Sequence, residues 1–185
     1  MRPPARLARS YFNCRFGQLH VHQAIPPGGG FDEATALLCL PGERGDGRFF
    51  HALLGPLGTD RSIYAVDLPG HGSSDAPATA AGAEPNALAM ADLLDTLHQR
   101  RVDVIAHGTG GETALALAGL RGGALLRRLV LSAAAAPALQ GARALGLDFR
   151  ELPLATAEAE AVTATTVALR LPELIEFLGA AGGGR

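Results

Sequence analysis

Three short apolar runs that each lead into a glycine-containing turn constrain the fold of this chain most strongly. They are residues 35–40 (TALLCL) before Pro41-Gly42, residues 62–68 (SIYAVDL) before Pro69-Gly70, and residues 102–106 (VDVIA) shortly before Gly108. A continuous apolar run of this length is typical of a strand that is buried on both faces. The sequence therefore predicts a sheet that is covered on both sides.

Segments with apolar residues at helical spacing separate these runs. They are residues 48–57, residues 85–100 with a proline in the first turn and an arginine at the end, and residues 110–120. A fourth apolar run, residues 129–132 (LVLS), continues the alternation. Because strands alternate with helices, we expect a three-layer α/β fold with a mostly parallel sheet and right-handed crossovers.

An antiparallel hairpin is predicted to open the fold. Residues 11–16 and 19–23 are short, partly alternating and rich in strand-forming residues, and they flank Gly17-Gln18. The 185 residues suffice for one domain with a sizeable core. We expect this single domain to span residues 10–180, after a flexible N-terminus at residues 1–9.

The alternation weakens after Ser132. A Gly- and Ala-rich bend is predicted to follow, then a short edge strand at residues 147–152 (LDFREL). Helical segments are predicted at about residues 155–169 and at residues 172–178. Residues 181–185 are expected to form a disordered tail.

The charged residues exclude several classes of function. All 16 basic residues are arginine, so a Schiff-base lysine, a lysine general base and the phosphate-binding lysine of a Walker A motif are excluded. The formal net charge of -2 at pH 7 gives no field that would gather nucleic acid or anionic lipid. We therefore expect a small molecule or a protein as the partner.

The cysteine and hydropathy patterns predict a cytoplasmic protein. Cys14 and Cys39 lie in no CxxC motif and beside no histidine cluster, which indicates neither a disulfide framework nor a zinc motif. No apolar run approaches the roughly 18 residues of a membrane span, since Arg127 and Arg128 interrupt the most apolar region. We expect a reducing compartment and no membrane contact.

A nine-residue loop and a glycine-rich turn carry a resemblance to a known family. The loop is residues 67–75 (DLPGHGSSD), and the turn is residues 106–110 (AHGTG), which join a buried strand to a helix. The predicted strands, helices and motifs of residues 10–132 resemble those of the α/β-hydrolase superfamily in their order and spacing. The turn stands where that family has its nucleophile elbow, G-x-S-x-G. The resemblance implies a three-layer, mostly parallel α/β-hydrolase-like sheet without the family's last strands and lid.

The same turn also matches part of the phosphate-binding turn of dinucleotide-binding folds. Gly108 and Gly110 match the first two glycines of that fingerprint, but Thr113 stands where the third belongs. No acidic residue lies near the end of the next strand to bind a ribose. We therefore predict no cofactor.

The catalytic residues that the resemblance implies are only partly present. The family places Ser, Asp or Cys at the centre of the elbow, where this chain has Gly108, and His107 is the last histidine of the 185 residues. The family's oxyanion donors correspond to the backbone amides of Glu43 and Thr109. The resemblance therefore favours a homologue that has lost its catalytic triad and binds a small molecule or a protein partner.

Two alternatives stay open. One is an active hydrolase of an ester, amide or carbon–carbon bond that uses Ser132 or Thr109 as an unorthodox nucleophile with His71 or His107 as the base. The other is an incomplete chain, since residues 172–180 (PELIEFLGA) resemble the family's closing helix after a deletion. In a shortened sheet we expect an exposed edge through which a homodimer forms.

Other polar residues have simpler interpretations. His20 and His22 lie on one face of their strand by the two-residue period, but no third ligand at suitable spacing follows them in the sequence. We therefore predict a solvated strand face and no metal site. Ser73 and Ser74 are expected to bond the backbone of their turn, and His71 and His107 to serve in packing and turn bonding.

Overall fold

The computed structural model describes residues 3–29, 34–43, 46–78, 82–155 and 161–179, and these segments form one seven-stranded sheet with helices on both faces. The strands are β1 (Arg6–Cys14), β2 (Gly17–Ile25), β3 (Leu37–Leu40), β4 (Ile63–Val66), β5 (Val102–His107), β6 (Leu126–Ser132) and β7 (Phe149–Glu151). The helices are α1 (His51–Leu57), α2 (Ala83–Thr96), α3 (Gly110–Arg121), α4 (Ala136–Ala144) and α5 (Ala164–Gly179). Single 3-10 turns lie at Gly47–Phe50 and Gly123–Leu125.

The strand order confirms the predicted mostly parallel α/β sheet. It is β1-β2-β4-β3-β5-β6-β7. The first two strands form an antiparallel hairpin, and β2 also pairs antiparallel with β4. From β4 to β7 all neighbours are parallel. The carboxyl ends of these parallel strands therefore meet at one edge of the sheet, where folds of this kind bind their ligands.

Two helical layers cover the sheet. Alternate residues of β3 face the two layers. Leu38 and Leu40 pack with residues of α2 and α3 on one side. Leu37 and Cys39 pack with residues of α1 and α5 on the other. All four residues have no exposed surface. Covering both faces makes every position of a central strand a core position, which explains the continuous apolar runs of the sequence.

The hairpin begins earlier than predicted. Strand β1 starts at Arg6 and is paired with β2 along its whole length, so the prediction of a flexible terminus is wrong for residues 6–9. The turn is formed by Arg15 and Phe16 rather than by Gly17-Gln18. Gly17 opens β2 with φ +117°, and a Cβ there would lie 2.3 Å from an oxygen of Asp75. The glycine is thus required by a close approach, not by the turn.

The segment after β6 contains a helix where a bend was predicted. Pro137 lies at the start of α4, where its fixed φ favours the helix and its missing N–H has no cost. Ala138 and Ala142 of this helix are buried, so small residues allow close packing. The predicted edge strand at residues 147–152 is confirmed as β7, which pairs parallel with β6.

The last helix is continuous where two segments were predicted. Helix α5 passes through Pro172 and buries Val167, Leu174 and Leu178 on either side of it. Burial of this apolar face outweighs the one backbone hydrogen bond that the proline removes. The predicted helical residues 156–160 and the tail at 181–185 lie outside the described residues. Among the helices described, none combines the length and the apolar character that a membrane crossing requires.

A buried ionic network connects α5 to the amino-terminal ends of the parallel strands. Asp103 at the start of β5 is fully buried. Its carboxylate lies 3.1 Å from Nη1 of Arg61 and 2.8 Å from Nε of Arg127. Both arginines also donate to the carbonyl oxygen of Leu178, at 3.4 Å and 2.6 Å. The network neutralises a buried charge and fixes the end of α5.

Replacing Asp103 should destabilise the fold strongly. We expect Asp103→Ala to lower the free energy of unfolding by about 3 kcal/mol, because it leaves two buried guanidinium groups without their carboxylate. The control is Asp95→Ala at an exposed ion pair with Arg121, which should cost less than about 1 kcal/mol. Urea denaturation followed by circular dichroism measures both, and equal losses would contradict the assignment.

Candidate functional site

The carboxyl edge of the sheet collects the residues that the sequence singles out. Gly42 follows β3, Asp67 follows β4, Gly108 follows β5 and Ser132 ends β6. The loops after β3 and β5 touch, since a Cβ on Gly42 would lie 3.3 Å from the carbonyl oxygen of His107 and 3.7 Å from Cα of Gly108. The candidate site is the surface of this edge around Gly108.

The predicted strand–turn–helix at Gly108 is confirmed. Strand β5 ends at His107, helix α3 begins at Gly110, and Gly108 between them has φ +51°. A Cβ on Gly108 would meet only Cα of Gly42, at 3.7 Å, so the space above the turn is open. At Gly110 a Cβ would lie 2.4 Å from the carbonyl oxygen of Leu40. That glycine lets α3 start directly against β3.

Two backbone amides border the open space. The amides of Glu43 and Thr109 donate to no other group in the described part of the chain. Thr109 is exposed, and its side chain makes no capping hydrogen bond to α3. A helix start with unbonded amides favours an oxygen atom that carries negative charge.

Ser132 and His107 are in contact, but they are buried. Ser132 has no exposed surface and His107 is 3% exposed. The Oγ of Ser132 lies 3.2 Å from Nδ1 of His107 and accepts a hydrogen bond from the amide of Leu154 at 3.0 Å. The imidazole also packs on the ring of Phe49, with centroids 4.4 Å apart. The pair therefore joins β5, β6 and the segment after β7, away from solvent.

His71 bonds the backbone of two loops. Its Nε2 lies 2.8 Å from the carbonyl oxygen of Glu43, and its Nδ1 lies 3.2 Å from the carbonyl oxygen of Pro69. With both ring nitrogens beside carbonyl oxygens, His71 ties the loop after β3 to the loop after β4. The side chain serves the backbone of the loops that border the Gly108 turn.

The structure also assembles a cluster that the sequence did not predict. His20, His22 and Asp67 are 6%, 3% and 2% exposed, so the predicted solvated strand face is wrong. The face is covered because the turn that precedes α1 packs on it, and Gly47 of this turn donates to Asp67 at 2.7 Å. Nδ1 of His20 lies 2.8 Å from Oδ2 of Asp67, and Nε2 of His22 lies 3.3 Å from Oδ1.

Asp67 is held as a buried carboxylate. Burial raises the pKa of this group, but the contacts with His22 and His20 and the amides of Ser73 and Gly47 outweigh it, so the pKa of Asp67 lies far below its usual range. The amide of Ser73 donates to Oδ2 at 2.9 Å, and Oγ of Ser74 donates to the carbonyl oxygen of Asp67 at 2.6 Å. The bond of Ser74 confirms its predicted turn-bonding role, whereas Ser73 takes part through its backbone amide.

Comparison with known proteins agrees with this architecture. A profile of the Alpha/beta hydrolase family matches residues 37–181, which is more than half of the chain. The mostly parallel sheet, its two helical layers and the turn after β5 define an α/β protein of this type. The chain belongs to the alpha/beta hydrolase family. A search of curated proteins finds no match.

Several solved structures have the same fold. Cfl2 from Burkholderia cenocepacia is 24% identical with a TM-score of 0.62, over 71% of this chain and 42% of its own. The ligand-free epoxide hydrolase CorEH is 21% identical with a TM-score of 0.62, over 70% and 43%. Naproxen esterase from Bacillus subtilis is 22% identical with a TM-score of 0.61, over 71% and 44%. The chain spans less than half the length of these proteins.

Alanine scanning of three glycines tests the geometry of the Gly108 turn. We expect Gly108→Ala to cost about 1 kcal/mol because of its left-handed φ, and Gly110→Ala to cost about 3 kcal/mol because its Cβ would collide with β3. Gly119→Ala, at an open position of α3, should stabilise by up to about 1 kcal/mol. Urea unfolding measures all three, and a neutral Gly110→Ala would contradict the close packing.

The low pKa of Asp67 predicts acid sensitivity. Because the folded-state pKa is depressed, this carboxylate stabilises the fold above its unfolded pKa of about 4, and its contribution is lost as the pH falls below that value. Between about pH 4 and pH 2 the free energy of unfolding of the wild type should fall more steeply than that of Asp67→Asn, by up to about 1.4 kcal/mol per pH unit. Parallel curves in urea titrations at each pH would show that Asp67 has no depressed pKa.

Proposed function

We propose that this chain is an α/β-hydrolase homologue without a hydrolytic triad that binds a small molecule or a protein partner at the carboxyl edge of its sheet. The observation that carries the proposal is Gly108. It occupies the centre of the strand–turn–helix, where members of the family have the attacking side chain, and glycine has none. Without a nucleophile, acyl transfer through a covalent intermediate cannot start.

The neighbouring hydroxyl groups do not replace the lost nucleophile. Ser132 is fully buried, and its Oγ accepts the amide of Leu154, so a substrate carbonyl has no route to it. Thr109 is exposed beside the turn, but no imidazole is in hydrogen-bond contact with its hydroxyl among the described residues. A hydroxyl without a positioned base is a weak nucleophile.

The histidines near the edge are engaged elsewhere. Both nitrogens of His71 face backbone carbonyl oxygens, and His107 is buried between Phe49 and Ser132. A general base must reach the proton of the attacking group at about 3 Å. Neither imidazole is free to do this in the present arrangement, which supports a binding role rather than hydrolysis.

The retained amides define the chemistry of the ligand. Glu43 and Thr109 present unbonded N–H groups beside the open space above Gly108. Such a pair suits a carbonyl or carboxylate oxygen of a small molecule. The net charge of -2 offers no support for nucleic acid or a membrane surface as the partner.

A second candidate function is hydrolysis of an ester, amide or carbon–carbon bond. The contact of 3.2 Å between Oγ of Ser132 and Nδ1 of His107 favours it, as does membership of a family of hydrolases. It requires the segment around Leu154 to open so that a substrate reaches Ser132. One of the structural neighbours is an epoxide hydrolase and another is an esterase.

The cytoplasm is the proposed location. Cys14 and Cys39 are both free thiols, as in proteins of reducing compartments. Burial raises the pKa of the Cys39 thiol, so this cysteine serves the core rather than chemistry. The homodimer through an exposed sheet edge stays a prediction.

Restoring the nucleophile tests the proposal. We expect purified wild-type protein and Gly108→Ser to show no turnover of p-nitrophenyl butyrate above a denatured control, because no imidazole can take the proton of a serine at residue 108. A fluorophosphonate probe should label neither protein. Circular dichroism shows whether the variant is folded.

Two results would favour the hydrolase instead. Saturable hydrolysis by the wild type that Ser132→Ala abolishes would establish the second candidate function. A burst and steady turnover by folded Gly108→Ser would show that a base lies within reach, and His71→Gln and His107→Gln would then identify it.

A further inference from the structure

We propose that His20, His22 and Asp67 bind a divalent transition metal ion of the zinc class. The three side chains offer two imidazole nitrogens and one carboxylate oxygen, and the ligand atoms all lie within 4.8 Å of one another. Imidazole with carboxylate is a donor set that suits zinc and its neighbours in the first transition row. The inference is independent of the function proposed for the Gly108 turn.

The distances are close to those that a metal ion needs. Ligand atoms at 2.0–2.2 Å from a tetrahedral zinc ion lie about 3.3 Å from one another. Nε2 of His22 lies 3.3 Å from Oδ1 of Asp67, which matches this separation. Nδ1 of His20 lies 2.8 Å from the other oxygen, Oδ2, so one ion shared by the three side chains requires the imidazole of His20 to rotate and this pair to open by about half an ångström.

One buried nitrogen lacks a satisfactory partner without a cation. Nε2 of His22 is buried and, despite its approach to Asp67, makes no hydrogen bond of acceptable geometry. A buried polar atom in this state is costly. A metal ion between Nε2 and the carboxylate would satisfy both groups with one centre.

The opposite nitrogen of His22 is arranged as in many metal sites. Its Nδ1 lies 2.9 Å from Nε2 of His51, so one proton is shared between the two rings. The donor of this bond depends on the tautomer, and when Nδ1 of His22 donates, its Nε2 carries the lone pair that a metal ion needs. A second-shell hydrogen bond of this kind fixes the tautomer of a ligating histidine.

Asp67 is similarly supported by its own hydrogen bonds. The amides of Gly47 and Ser73 donate to its two oxygens at 2.7 Å and 2.9 Å. These bonds hold the carboxylate plane while the remaining lone pairs point to the imidazoles. Such outer-shell donors to a ligating carboxylate are common in metal sites.

A cleft lies beside the cluster and reaches His22, but neither His20 nor Asp67 lines it. Its volume is about 590 Å³, and His22, Gln23, His51 and Arg9 are among the residues that line it. His51 is exposed at its surface, and His22 forms part of its wall. An entry path and an open fourth position for water are what a three-residue zinc site requires.

The cluster and the Gly108 turn are separate. The turn Gly47–Phe50 lies between them, because Gly47 contacts Asp67 whereas Phe49 packs on His107. A bound ion would therefore add a further link between β2, the end of β4 and this turn. Such an ion would strengthen this part of the fold.

Cobalt(II) binding tests the proposal without any enzymatic assay. Chelator-treated wild-type protein should bind one Co²⁺ with visible d–d absorption of the tetrahedral type, and Zn²⁺ should displace it and raise Tm. His22→Gln should weaken the binding at least about 100-fold, since it removes a direct ligand. The matched control is His98→Asn at an exposed histidine with φ +54°, a conformation that Asn tolerates. It should bind like the wild type.

Each alternative result overturns the site. Absence of the visible bands in folded wild type, with no change of Tm in Zn²⁺, would show that the cluster is only a hydrogen-bonded network. Equal affinity of wild type and His22→Gln would assign the ion to surface histidines. A second variant, His20→Gln, keeps the test valid if His22→Gln does not fold. Retention of wild-type affinity in whichever of the two variants folds refutes the site.

Discussion

The buried carboxylate of Asp67 is the contact on which the carboxyl edge of this sheet depends. It receives the amides of Gly47 and Ser73 and touches two imidazoles of β2, so one charge holds three chain segments together. Because a buried charge is tolerated only when its hydrogen bonds are complete, none of these segments can move independently. The loop of residues 67–75 is also fastened to β2, where the amide of Gln18 donates to Asp75 at 2.8 Å. This rigid edge supports the loops beside the Gly108 turn.

The Gly108 turn joins β5 to α3, and the glycine at its centre has no side chain. A Cβ added to Gly42 or to Gly108 would lie 3.7 Å from Cα of the other residue, so the loops after β3 and β5 lie close together. The space above Gly108 is open, and the polar side chains near it bond other partners. His71 bonds loop carbonyl oxygens, while Ser132 and His107 fill the core. Binding can outlast catalysis in such a fold because it depends on the backbone, whereas hydrolysis depends on a few side chains.

The sequence predicted the fold well where one local signal decided it. The buried central strands, the strand–turn–helix at Gly108 and the edge strand β7 follow from burial on two faces and from the needs of tight turns. The sequence-based predictions were wrong where contacts between residues distant in the chain determine the local structure. Pairing with β2 orders residues 6–9, and helix packing outweighs the break expected at Pro172. The cluster at Asp67 was missed for the same reason. The two-residue period placed His20 and His22 on one face, but only the pairing of β2 with β4 brings Asp67 opposite them.

The attachment of α5 has a consequence for how the chain becomes folded during synthesis. The carbonyl oxygen of Leu178 is bonded by Arg61 and Arg127, at separations of 117 and 51 residues along the chain. The hairpin and the parallel strands can pair as they leave the ribosome, but until residue 178 follows them two buried guanidinium groups lack this acceptor. Closing so long a loop is slow relative to local pairing. Until residue 178 has been made, the α1 side of the sheet lacks the cover that α5 gives it.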